Sequence, residues 1–271
     1  MPVEPGQEYR HGPGGRARKR SPIPVDGLQS RRADGDLALF PALAAHAKPL
    51  EPYAERIRVV PFGIEPATWN EPPAAASRFA PGSLRPYVLF AGRHVPYKGV
   101  DVLLRAIAAV PSFRAVIVGD GPRRSAWETL ARELNLGDRA CFTGEVSDAD
   151  LKALMHGCAA LVLPSVTRAE AFGYVQLEAM AAGVPVISTD VPSGVSWVNQ
   201  HERTGIIVPA GNAEALRDAI ARFMADPVLR SRLGAAGRDR VRTEFTMTRL
   251  RDRLRDVYEE LGLLRPLPAA C

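Results

Sequence analysis

Arg93 and Lys98 stand five positions apart in the stretch Gly92-Arg93-His94-Val95-Pro96-Tyr97-Lys98-Gly99, which begins where the apolar run Tyr87-Val88-Leu89-Phe90-Ala91 ends. On one strand-to-helix loop, a guanidinium and an ammonium so spaced can grip a single anion from two sides. Each charge-assisted hydrogen bond to a phosphate oxygen would contribute about 1.5–3 kcal/mol. Two solvated surface cations would read the same way, and the segment alone does not separate the two.

A second cluster is Glu170-Ala171-Phe172-Gly173-Tyr174-Val175-Gln176-Leu177-Glu178. The pattern predicts a helix over 173–182, opening at Gly173. A helix start after such a turn presents free N–H groups and a positive dipole end, which together suit a phosphate. Glu178 falls one turn beyond Tyr174 on the same face, where a carboxylate can accept two hydrogen bonds from a ribose cis-diol. Glu170 lies just outside the helix, where a sugar on the far phosphate would hang. Solvent-facing glutamates on a capped helix are the competing reading, weakened by the Phe-Gly turn between them. Gly119-Asp120-Gly121-Pro122 and Gly144-Glu145-Val146 also follow strand-like runs. Through Gly121 and Val146 they could line a base pocket, and plain turns explain them equally well.

Two Asp-x-Asp triplets invite a metal. Asp148-Ala149-Asp150 follows Ser147 and reads better as a helix opening, where acids are favoured in the first turn. Asp34-Gly35-Asp36 sits in irregular text. No metal is expected, and no cofactor.

Short apolar runs position these clusters. Strands are expected at 87–91, 115–118, 160–163, 184–188 and 205–208, alternating with helical periods such as Val102, Leu103, Ala106, Ile107 and Val110, or Trp127, Leu130, Ala131 and Leu134. Buried strands alternating with amphipathic helices imply an α/β, Rossmann-like parallel sheet flanked by helices. Such sheets bind ligands in the crevice outside the carboxyl ends of their strands, where all three clusters fall.

The first third reads differently. Fourteen of the 24 prolines lie at or before Pro86. Residues 1–52 form an irregular, disordered-looking basic segment, with at most a short helix over 37–47. Residues 53–86 read as a linker with one strand, Arg56-Ile57-Arg58-Val59-Val60. The expected organisation continues with a Rossmann-like domain at 87–245 and a carboxy-terminal helix and tail at 246–271. In the latter, Leu250, Leu254, Val257, Tyr258 and Leu261 make an apolar stripe at helical spacing.

Composition narrows the function classes. With 46% hydrophobic and 24% charged residues the chain is an ordinary globular one. No apolar run reaches the ~18 residues of a membrane span, and Met1 to Arg20 lacks the apolar centre of a secretory signal. Three scattered cysteines make neither a disulfide framework nor a metal knuckle, and Cys158 reads as a small buried thiol. The expected location is cytoplasmic, with peripheral attachment at the inner face of the membrane as the variant of that reading. The net charge of +5 comes with no nucleic-acid motif and with only 7% aromatics, so no nucleic acid is expected as a partner. No Gly-x-Gly-x-x-Gly follows an expected strand, which disfavours a dinucleotide-dependent oxidoreductase.

Taken in order, these motifs resemble the retaining GT-B glycosyltransferases of family 4, the group 1 glycosyl transferases. Gly-Arg, four residues, Lys-Gly is followed by Glu, seven residues, Glu with Phe-Gly inside. Glu170 to Ser188 (EAFGYVQLEAMAAGVPVIS) resembles the family's donor signature, and Thr204-Gly205-Ile206-Ile207-Val208-Pro209 its late strand. Val59-Val60-Pro61-Phe62-Gly63-Ile64-Glu65 is similar to the segment joining the two family domains. The likeness spans about 57–262. It implies the carboxy-terminal, donor-binding half of a GT-B fold and transfer of a sugar, with retention, from a nucleotide-diphosphate sugar to a glycan or lipid-linked acceptor in surface polysaccharide or glycoconjugate assembly. Arg93 and Lys98 would neutralise the departing diphosphate. Glu178 would hold the ribose and Glu170 the hydroxyls of the transferred sugar. Gly92, Gly121, Val146, Tyr174 and the backbone N–H groups of Phe172 and Gly173 would complete the donor site. Glu170 and Glu178 would not be the acid–nucleophile pair of a retaining glycosidase.

The departure is at the amino terminus. Only some fifty irregular residues precede the linker-like strand, whereas a small α/β domain needs on the order of 100. The acceptor-binding half is therefore expected to be missing or truncated, and the chain to be either active as it stands or a non-catalytic donor module that needs a separate acceptor domain or subunit.

Overall fold

The computed structural model describes residues 36–41, 52, 55–73 and 86–263. Its main body is a six-stranded sheet built from β3 (Val88–Ala91), β4 (Ala115–Val118), β5 (Ala140–Gly144), β6 (Ala160–Leu163), β7 (Val186–Thr189) and β8 (Gly205–Val208). The spatial order is β5-β4-β3-β6-β7-β8, and every neighbouring pair is parallel.

Parallel strands need crossovers, and helices supply them: α1 (Val100–Ala108), α2 (Arg124–Glu133), α3 (Asp148–Gly157), α4 (Val175–Ala181) and α5 (Val195–Val198), with α6 (Ala213–Ala225) following the last strand. The chain then leaves the sheet through α7 (Pro227–Glu244) and α8 (Met247–Glu260). Every residue of β3, β4, β6 and β7 is buried, as expected for strands covered on both faces. Alternation along each strand divides the core. Leu89, Val116, Leu161 and Val186 face α4 and α7, where Leu177, Met180, Val241 and Phe245 pack. Val88, Phe90, Ile117, Val162 and Ile187 face the other way, onto Leu103, Ile107, Trp127, Ile220 and Phe223. Among the described residues no helix is long and apolar enough to cross a membrane.

The strand order places the site. The chain builds outward from β3 through β4 to β5, then returns to lay β6 against the other side of β3. The connections after β3 and β6 therefore diverge, which opens a crevice at their carboxyl ends.

The amino-terminal stretch is not wholly irregular. Asp36–Ala38 forms β1, which pairs in parallel with β2 (Ile57–Val59). This corrects the helix expected over 37–47. Leu37 and Ala38 are extended, Pro41 is helical, and 42–47 lie outside the described residues, as do the glycine-rich and arginine-rich segments of 12–20. Asp36, assigned to irregular text, is the first residue of this strand, and Asp34 lies outside the described residues. Beyond β2, Ile64 is sewn to the α7–α8 junction: its amide donates to the Phe245 carbonyl, and its own carbonyl accepts from Met247. The apolar stripe of α8 is covered unevenly, with Val257 buried, Leu250, Leu254 and Leu261 half-buried, and Tyr258 exposed. Cys158 is half-buried and its thiol donates to the Met155 carbonyl at 3.1 Å.

Candidate functional site

The loops after β3 and β6 meet across the crevice. A backbone hydrogen bond from Val166 to the Tyr97 carbonyl (2.8 Å) ties them together. Gly99 sits at φ +65°, and a Cβ there would lie 2.1 Å from the Pro164 carbonyl oxygen. Only glycine allows both that conformation and that approach. The approach brings the Lys98 ammonium 2.6 Å from Glu170 Oε2. Both side chains are largely buried, 12% and 8% exposed, so the pair is little screened by water. The Ser165 hydroxyl donates to the same Oε2 at 2.9 Å, and Oε1 has no partner among the described residues.

Beside this pair lies a cleft of about 520 Å³, lined by Gly92, Arg93, Gly119, Asp120, Gly121 and Glu145. The Lys98 ammonium borders it, since a Cβ added at Gly92 would stand 3.6 Å from Nζ. Asp120 is committed elsewhere. Its Oδ1 accepts from the Gly121 amide and its Oδ2 from Arg124, interactions that hold its carboxyl below the ordinary aspartate range. Arg93 is exposed, and its guanidinium has no hydrogen-bond or ion-pair partner among the described residues. The cleft thus keeps one unpaired guanidinium, and of the two acids in its lining Asp120 is already paired with Arg124.

Local geometry corrects the expected helix start. The helix after Phe-Gly begins at Val175, with Tyr174 as its cap residue, and runs only to Ala181. Gly173 stands before it with φ +71°, and a Cβ there would press to 2.6 Å on Leu163. The turn consumes two more residues than helical periodicity alone allows, because Phe172 must first bury its ring. That ring packs edge-on against Phe62, Trp197 and Phe245, so only the Phe172 backbone faces the loop chemistry. The amides of Phe172, Gly173 and Tyr174 have no acceptor among the described residues. Tyr174 is exposed, and its hydroxyl donates to the Gly63 carbonyl at 3.0 Å, tying α4 to the linker-like segment.

Glu178 is half-buried on α4. Burial, reinforced by the negative charge of Asp148 at the start of α3, pushes its carboxyl up to about 7. Asp148 itself opens α3 behind the Ser147 cap, whose hydroxyl accepts from the Asp150 amide, as expected from the sequence. Among the described residues no three His, Cys, Asp or Glu side chains gather closely enough to hold a metal ion. Val146 is half-buried and packs on the core next to Glu145 of the cleft wall.

The structure therefore brings Gly92, Arg93 and Gly121 to one cleft, with Lys98 and Glu170 joined at its border. Glu178 lies on α4 one turn beyond its cap residue Tyr174, and Val146 stands behind the wall. Three participants had no sequence signal strong enough to single them out. Ser165 and Thr189 are small polar residues at strand ends, and the Thr189 hydroxyl donates to the Ser165 carbonyl at 2.5 Å. His94 is fully buried 5.1 Å from the Trp127 ring, and burial lowers its pKa, keeping it neutral. In sequence it looks like one more polar loop residue between Arg93 and Lys98.

Comparison with known proteins gives a consistent family. The profile described as "Glycosyl transferases group 1" matches residues 77–240. The D-rhamnosyltransferase WbpZ of Pseudomonas aeruginosa is 33% identical over 215 residues, covering 79% of this chain and 56% of the relative. The O-antigen chain mannosyltransferase C of Escherichia coli is 29% identical over 225 residues, covering 83% of this chain and 60% of the relative. The chain thus spans somewhat more than half the length of these curated relatives. Among solved structures, Anabaena Alr3699/HepE in complex with UDP superposes with a TM-score of 0.74 at 22% identity, over 88% of this chain and 66% of that one. That likeness is one of fold.

Proposed function

Because the chain belongs to the group 1 glycosyl transferases, with the α/β fold of the carboxy-terminal half of GT-B enzymes, we propose that it binds a nucleotide-diphosphate sugar in the cleft between β3 and β4. We propose further that it serves transfer of that sugar, with retention of configuration as in family 4, to a glycan or lipid-linked acceptor. One observation carries the reading: an unpaired, exposed Arg93 and a lysine–glutamate pair border the same crevice at the sheet's switch point. An anion there meets a guanidinium that no carboxylate pairs with and an ammonium close at hand.

The chemistry follows from charge. When the glycosidic bond breaks, negative charge grows on the departing diphosphate, and cations fixed in advance stabilise that state more than the ground state. Arg93 and Lys98 take this role. The unpaired amides of Phe172 and Gly173 add donors for phosphate or sugar oxygens. Glu170 offers Oε1 to hydroxyls of the transferred sugar, and Glu178 accepts from the ribose. The base lies against the Gly121 side of the cleft, near Val146. No metal takes part in this scheme, since the two cations supply the charge. Both named relatives are sugar transferases, and one acts on O-antigen chains, which supports a role in surface polysaccharide or glycoconjugate assembly at the inner face of the membrane.

A second reading, a donor-binding module that works only with a separate acceptor domain, is favoured by the chain's match to little more than half of its relatives' length. Titration with nucleoside diphosphates, their sugar conjugates and NAD tests the shared part of both readings. Saturable binding of a nucleoside diphosphate but not of NAD is expected. Equal binding of NAD, or binding of neither, would contradict it. Transfer from labelled donor to a mixed acceptor preparation, with and without neighbouring gene products, separates the two readings.

A further inference from the structure

We propose that Ser165 is a positioning residue for Glu170, holding one carboxylate oxygen so that the other is presented to the transferred sugar. The inference rests on the donor-binding reading above and assigns a role to a residue that never reaches the ligand. Glu170 uses its two oxygens unequally. Oε2 accepts from Lys98 at 2.6 Å and from the Ser165 hydroxyl at 2.9 Å, while Oε1 has no protein partner among the described residues. Two donors converging on one oxygen fix both the position and the plane of the carboxylate, and a carboxylate has acceptor capacity to spare on its other oxygen.

Ser165 is suited to this. It is fully buried, so neither water nor ligand competes for its hydroxyl. Its carbonyl accepts from the hydroxyl of Thr189, itself 2% exposed, at the end of β7, and the next amide, that of Val166, donates to Tyr97. The serine is thus held from the strand on one side and from the Lys98 loop on the other. Lys98 alone would hold Glu170 less well. Its ammonium is a compact charge on a flexible stem, and a bound diphosphate would draw it away from the carboxylate. Ser165 is a neutral donor that a phosphate has no means of reaching, so Glu170 stays oriented when Lys98 divides its charge.

Calorimetric titration of the whole chain with UDP and UDP-glucose, GDP and GDP-mannose, and ADP and ADP-glucose tests this, using the pair that the wild type binds most tightly. In Ser165→Ala, affinity for the sugar conjugate should fall about five- to tenfold while that for the free diphosphate stays within about twofold. Adding Ser165→Ala to Glu170→Ala should cost nothing further, because the serine acts only through that carboxylate. Equal weakening of both ligands, no weakening, or a further loss in the Glu170→Ala background would overturn the proposal. If Ser165→Ala does not fold, Ser165→Cys, a slightly larger side chain and a weaker donor, should show the same selective loss. A wild type that binds none of the six compounds sinks the donor-binding reading and this inference with it. A wild type that binds, with the sugar preference intact in Ser165→Ala and Ser165→Cys, sinks the inference alone.

Discussion

The loops after β3 and β6 leave adjacent strands at the same edge of one sheet, yet they treat charge in opposite ways. The β3 loop carries Arg93 into an open cleft, exposed and unpaired. The β6 loop buries Glu170 beneath Lys98 and Ser165, with two donors on one oxygen. Lys98 belongs to the first loop by sequence and to the second by contact. The difference separates two tasks that one anion site must perform. An encounter cation has to be free in water, because a paired one would first have to break its own bond. A group that orients a sugar has to be fixed beforehand, because any freedom it keeps is lost on binding.

The largest break in this comparison should come from Lys98→Ala. It leaves the Glu170 carboxylate buried without its cation, a change that costs up to about 3–5 kcal/mol, and less where the acid takes up a proton. Thermal unfolding should show a clear drop in Tm, and Glu170→Gln in the same chain should restore most of it. A Lys98→Ala protein as stable as wild type would mean that the pair is not buried in solution. Arg93→Ala should do the reverse, leaving Tm in place while nucleoside diphosphate affinity falls by about tenfold or more, as read by calorimetry. Loss of both properties together would erase the distinction between the loops.

A third, smaller effect concerns Glu178. Its carboxyl, pushed up to about 7 by burial and then by Asp148, holds in the folded state a proton that the unfolded chain releases in the ordinary glutamate range. The folded state therefore binds more protons between those values, and stability falls as pH rises through that window, levelling off above about 7. Glu178→Gln should flatten this part of a Tm-against-pH curve, and Asp148→Asn should move it to lower pH. The smallest effect is expected at Arg58 and Glu260, which pair on the surface between β2 and α8. Exposed pairs contribute little, so Arg58→Ala should leave Tm nearly unchanged and so show that burial, not pairing, sets Lys98 apart.

How much of this was legible in the sequence follows the same division. The strands at 115–118, 160–163 and 205–208 are as predicted, because short apolar runs bounded by glycine, proline or polar residues leave few alternatives. The capped start of α3 was legible in Ser147. The cations Arg93 and Lys98 were legible as residue types, but not that one would be free and the other committed. That depends on the 2.1 Å approach a Cβ at Gly99 would make to Pro164, a tertiary contact between segments far apart in the chain. The start of α4 slipped by two residues because Phe172 turns inward, and helical periodicity does not register a ring that must first be buried. β1 was hidden in proline-rich text and is specified by pairing with β2 rather than by its own three residues. Ser165 and Thr189 gave no signal, since a serine at a strand end usually means only a turn.

The most direct measurement is a crystal structure of the chain with a bound nucleoside diphosphate. The account predicts the diphosphate in the Gly92–Gly121 cleft, with the Arg93 guanidinium and the Lys98 ammonium both within hydrogen-bond reach of its oxygens and Glu170 still held by Ser165. A nucleotide seated anywhere else, or a diphosphate that leaves Arg93 in solvent, would contradict it.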